Sequence, residues 1–69
     1  MRYSIVIEKG DRNLSFVPDL PGCIATGQNL DQLRLNMKEA IELHVCGMKE
    51  DGDPVPEPTT SVEYIEIAA

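Results

Sequence analysis

Polar and apolar residues alternate along RYSIVIE, residues 2–8. Tyr3, Ile5 and Ile7 fall on one side, and Arg2, Ser4, Val6 and Glu8 on the other. A period of two predicts a β-strand. Gly10, Asp11 and Asn13 are turn formers. LSFV, residues 14–17, then puts Leu14 and Phe16 on one face of a second strand, so the first 17 residues read as an antiparallel hairpin. CIATG, residues 23–27, predicts a short third strand. From Leu30 the period changes: at 100° per residue Leu30, Leu33, Met37, Ala40, Ile41, His44 and Met48 share one stripe. Asn29 is a good N-cap with Gln32 three residues on, Gly52 suits the position after the last turn, and Pro54 blocks continuation. The helix is therefore predicted from about Leu30 to about Asp51. DPVPEP, residues 53–58, has proline at every second position and must be extended. SVEYIEI, residues 61–67, predicts a last strand with mixed faces. The order β-β-β-α-β defines an α+β fold, an antiparallel sheet with one long helix packed on one face, in a single domain spanning residues 1–69.

Between the second and third strands lies PDLPGC, residues 18–23. Pro18 ends its strand because it cannot donate to a ladder. Leu20 is held extended by Pro21. Pro21 and Gly22 form a turn pair, proline fixing one central φ and glycine free to take a positive one at the next. The hexapeptide is thus a rigid corner, with a structural role for Pro18, Asp19, Leu20, Pro21, Gly22 and Cys23, as for Gly52 at the helix end.

At 69 residues the chain makes one small domain, marginal on its own. Two cysteines build no disulfide framework and one histidine makes a closed zinc site hard to assemble, which leaves self-association as the route to more buried surface. The net charge of −6 argues against a lone nucleic-acid binder and suits a basic partner. No apolar run approaches the roughly 20 residues that span a bilayer, so no membrane association is expected. The charged N-terminus is no secretory signal, and with unpaired cysteines a reducing cytoplasm is the expected compartment.

The candidate chemistry is sparse. The twelve carboxylates are dispersed over strand ends, turns and the outer half of the helix. His44 lies on the apolar stripe, and Cys46 points nearly the opposite way. Cys23 reads as a small apolar strand residue, and no glycine-rich phosphate loop is present. No catalytic, metal-ligating or cofactor-binding residue is assigned. The surplus is apolar: Leu35 and Cys46 point away from the core stripe, with Leu43 on its flank. Val6, Val17 and Ile24 oppose the faces of Ile5, Phe16 and Ala25, and Tyr64 and Ile65 oppose each other. Such surface on a small acidic domain predicts a protein interface, built from Leu35, Glu39, Glu42, Leu43, Cys46 and Tyr64.

PDLPGC at residues 18–23, Gly27, the helical segment EAIE at residues 39–42, and Gly52 with Pro54, Pro56, Glu57 and Pro58 together resemble the HicB-like antitoxin family over roughly residues 3–67. The resemblance implies a partial RNase H-like fold and a non-enzymatic role: binding a small basic HicA-like ribonuclease toxin and masking its RNA-binding and catalytic face. It also implies a homo-oligomer, a dimer or tetramer. Many such proteins carry a C-terminal DNA-binding module. The sequence runs to Ala69 directly after the last predicted strand, so direct DNA binding is not expected. Two other readings compete with the antitoxin: a stand-alone oligomeric regulatory or small-ligand domain without a toxin, and a metal-dependent nuclease, which would need three convergent carboxylates.

Overall fold

A computed structural model describes residues 1–68 of the chain. It contains strands β1 (Val6–Glu8), β2 (Asn13–Phe16) and β3 (Ile24–Gly27), followed by helix α1 (Leu30–Glu50). The strands form one antiparallel sheet in the order β1-β2-β3. The α+β arrangement of three antiparallel strands and one long helix is the predicted one.

Register sorts the side chains into two faces. Ile7, Ser15 and Ala25 lie opposite one another across the three strands, as do Val6, Phe16 and Ile24 in the next row. The first row faces the helix. Val17, Leu20, Cys23 and Met37 form the buried cluster, with Tyr3, Ile5, Ala25, Ala40, Ile41, Val45 and Met48 packed around it. The Ser15 hydroxyl is buried there with no hydrogen-bond partner among the described residues.

Strand β1 is shorter than the alternation of residues 2–8 predicts. Its ladder begins at Val6, opposite Phe16, because β2 stops there and Pro18 follows. Arg2–Ile5 keep a strand-like sequence without a ladder partner.

The PDLPGC corner is two successive turns. The Leu20 amide donates to the Val17 carbonyl at 3.1 Å and the Cys23 amide to the Leu20 carbonyl at 3.1 Å, while the Val17 amide closes the corner on the Cys23 carbonyl at 3.2 Å. Every third residue, Val17, Leu20 and Cys23, is thereby turned into the core, and Leu20 is fully buried. Gly22 has φ +83° and no atom within 4 Å of the position a Cβ would take. A side chain there meets only the cost of the left-handed backbone. Gly22→Val is expected to lower stability by about 1–2 kcal/mol or more. A melting temperature equal to that of the parent chain would refute this.

Helix α1 starts where Asn29 Oδ1 accepts from the Gln32 amide at 2.8 Å. The capping box is half made, since the Gln32 side chain donates to Asn36 instead. At the other end the Gly52 amide donates to the Lys49 carbonyl and the Asp53 amide to the Met48 carbonyl, at 3.2 and 2.9 Å. This is a Schellman closure, with Gly52 at φ +75°.

The predicted strand over residues 61–67 does not form. After α1 the chain runs extended through Pro54, Pro56 and Pro58, is held as far as Thr60, and then leaves the body. Residues 61–68 are exposed, Tyr64 at 95% and Ile65 at 82%. A strand needs a neighbour to receive its backbone groups, and among the described residues no backbone bond joins residues 61–68 to another segment. The arm shows in the molecular shape. The radius of gyration is 13.8 Å, against about 11 Å for a compact chain of this length. The longest extent is 48 Å, against about 31 Å for the helix.

Candidate protein-binding surface

The outer face of α1 carries five of the six residues proposed from sequence for an interface. Leu35, Glu39, Glu42 and Cys46 are spaced i, i+4, i+7 and i+11, which places them on one stripe within about 60° of one another, with Leu43 on its flank. All five are exposed, Leu35 at 59% and Leu43 at 74%. Glu39, Glu42, Leu43 and Cys46 line a single shallow groove of about 500 Å³. Tyr64 is not among them: it projects from the arm. The surface is an apolar strip, Leu35 and the free Cys46, flanked by two carboxylates.

A second apolar surface is the sheet face turned away from the helix. Val6, Phe16 and Ile24 form one cross-strand row, and Leu14 stands next to it on the same face. Val6, Leu14 and Phe16 are half-buried and Ile24 is exposed. The hairpin reading of Leu14 and Phe16 as face-mates holds, but the sequence reading that sets Phe16 with Ile5 and Ala25 against Val6, Val17 and Ile24 does not. The register puts Phe16 between Val6 and Ile24 on the outer face. Val17, one residue on, turns into the core, where Ile5 and Ala25 pack against it.

The corner has a second task that local pattern does not reveal. Asp19 reaches across to the proline-rich exit. Its Oδ1 accepts from Thr60 Oγ1 at 2.8 Å and Thr59 Oγ1 at 3.2 Å, and its Oδ2 accepts from the Thr60 amide at 3.1 Å. The Thr60 hydroxyl, first among these donors, holds the Asp19 carboxyl below the ordinary aspartate value. With the folded-state pKa depressed, the latch contributes fully above the ordinary aspartate value and is lost as pH falls through the folded-state one. Two further bonds fix the same exit to the N-terminal segment: the Tyr3 hydroxyl donates to the Pro56 carbonyl at 2.6 Å and Ser4 Oγ to the Thr60 carbonyl at 3.0 Å.

The remaining chemical candidates sit as their sequence surroundings indicate. Cys23 is buried, and burial pushes its thiol pKa up, away from the reactive thiolate. His44 is half-buried on the core stripe. Among the described residues no three His, Cys, Asp or Glu side chains converge, and no helix is long and apolar enough to cross a membrane.

The described residues thus form an α+β domain with an exposed aliphatic and acidic strip on its helix. Residues 3–68 match the model of the HicB-like antitoxin of bacterial toxin–antitoxin systems. The chain belongs to that family. A UPF0150 protein of Archaeoglobus fulgidus is 44% identical over 97% of this chain and 96% of its own length. A 14.9 kDa protein from the rep-hol intergenic region of Haemophilus phage HP1 is also 44% identical, over 94% of this chain. The chain spans half the length of that phage relative. A UPF0150 protein of Helicobacter pylori is 38% identical over 74% of this chain. No solved structure gives a significant match.

Proposed function

We propose that the chain is the antitoxin half of a pair, a non-enzymatic module. It neutralises a small, basic, HicA-like ribonuclease in the cytoplasm by covering its RNA-binding and catalytic face. The observation that carries this reading is the stripe on α1. Leu35, Leu43 and Cys46 supply an apolar centre, and Glu39 and Glu42 supply carboxylates for the lysines and arginines of an RNA-binding surface. The net charge of −6 adds long-range attraction, so association is fast at low salt and weakens as salt rises. The chain works as a homo-oligomer, in keeping with the apolar surface left over on so small a domain.

The test is a pull-down with the tagged chain from its own cells at low and high salt. The expected product is a small basic protein, held at low salt and released at high, whose ribonuclease activity the chain inhibits. Glu39→Lys with Glu42→Lys is expected to weaken that complex at least about tenfold while helix content stays unchanged. Recovery of the chain alone, or of a partner indifferent to the double substitution, overturns the proposal.

A further inference from the structure

We propose that residues 61–67 are an exchanged strand: each copy of the chain donates this arm to the open β1 side of a second copy. This rests on the homo-oligomer reading and supplies its geometry.

The donor is a strand by sequence with nothing to pair with. In strand alternation Val62 and Tyr64 would share one face and Ile65 and Ile67 the other, and all four are more than half exposed. A segment apolar on both faces suits a strand covered on both faces. As an exposed, β-prone end it is a poor solitary element.

The acceptor lies beside the root of the arm, where Ser4 holds the Thr60 carbonyl, and is left uncovered in the protomer. Helix α1 packs over β3 and β2 and leaves β1 at the sheet edge. A cleft of about 370 Å³ opens between the helix and the segment leading into β1. Tyr3, Ile5, Met37 and Ile41 line its apolar part, and Arg34, Lys38 and Glu42 its charged part. The backbone of Arg2–Ile5 has no ladder partner beside this cleft, because β2 stops opposite Val6. An added strand would complete the ladder and cover half-buried Ile5 and Ile41.

Charge selects the same occupant. The arm carries Glu63 and Glu66 and no basic residue. The cleft presents two cations against one carboxylate, Glu42: Arg34, which already meets Asp31 at 3.2 Å, and Lys38, which has no ion pair among the described residues and is the contact an acidic arm would take.

The hinge decides between self-closure and exchange. Pro54, Pro56 and Pro58 hold the exit extended, and Ser4 and Asp19 pin Thr60 at the root of the arm. From that root the arm points out of the body, as the 48 Å extent records. An extended, pinned hinge directs an identical element to a neighbour, the general route to exchanged dimers.

The test uses full-length chains in sedimentation equilibrium across micromolar concentrations. The parent chain is expected to be a dimer or a multiple of one. Ile65→Pro removes a ladder donor from a position exposed in the protomer. It is expected to raise the dimer dissociation constant at least about tenfold with the circular dichroism of α1 intact. Lys38→Glu is expected to weaken the dimer as well, and Glu63→Lys with Glu66→Lys in the same chain to restore it. An oligomer unaffected by Ile65→Pro overturns the exchanged arm and leaves the homo-oligomer standing. A parent chain that is monomeric at these concentrations overturns both, and protected arm amides in that monomer would show the arm closing on its own β1. Dimers weakened by Ile65→Pro but not rescued by the charge swap would overturn the β1 cleft as acceptor.

Discussion

Leu20→Ala will lower the stability of the chain by about 2–5 kcal/mol. At this chain length that corresponds to a melting temperature some 10–30 °C lower. Leu20 is fully buried although it sits in a turn. Its own amide and carbonyl are the hinge of both turns of the corner, so the backbone cannot move inward to fill the space an alanine leaves. The lost methyls face Val17, Cys23 and Met37, most of the buried cluster. A domain this small has little else to lean on. Thermal unfolding at fixed protein concentration checks the result, the concentration being held because self-association would shift the midpoint. A drop of less than a few degrees would mean that the corner contributes shape alone.

Gly27→Val is expected to be nearly as damaging, for a different reason. A Cβ on Gly27 would lie 2.7 Å from the Leu33 amide nitrogen and 2.8 Å from its Cα. Both are backbone atoms in the first turn of α1, so no rotamer change relieves the clash. The helix start must move off β3, carrying the fully buried Leu33 with it. Overpacking of this kind costs about 1–3 kcal/mol and occasionally more, with valine worse than alanine. Gly27→Ala and Gly27→Val should therefore form a graded series in denaturant midpoint. Equal midpoints for all three chains would show that the helix start slides without cost.

Most of the fold can be read from local signals because local signals made it. Alternation marked the hairpin, the 3.6-residue stripe marked the helix, and Asn29 and Gly52 marked its ends within a residue. Glu39, Glu42, Leu43 and Cys46 could be grouped in advance because one helix face orders them by spacing alone. Three features escaped, each for want of local information. The ladder of β1 is cut short by where its partner ends, which residues 2–8 do not record. The strand over residues 61–67 has the right composition and no neighbour within the chain, and pairing is a property of two segments. The bonds from Asp19 to Thr59 and Thr60 join positions about 40 residues apart, and nothing in PDLPGC distinguishes an aspartate that stabilises a turn from one that holds another segment. Cys23 and His44 behaved as their apolar surroundings predicted.

The attachment of residues 54–60 has a consequence for how the molecule breathes. Three of these residues are prolines without an amide to protect. The segment is held by side chains, those of Tyr3, Ser4, Asp19, Thr59 and Thr60, with the Thr60 amide bonded to a carboxylate. Such a strap can lift as a cooperative unit while sheet and helix stay folded, at a free energy well below that of global unfolding. The chain is therefore built with two tiers of stability. The lower tier is the one that aims the arm, so events that loosen the strap can change what the arm reaches without melting the domain that carries it.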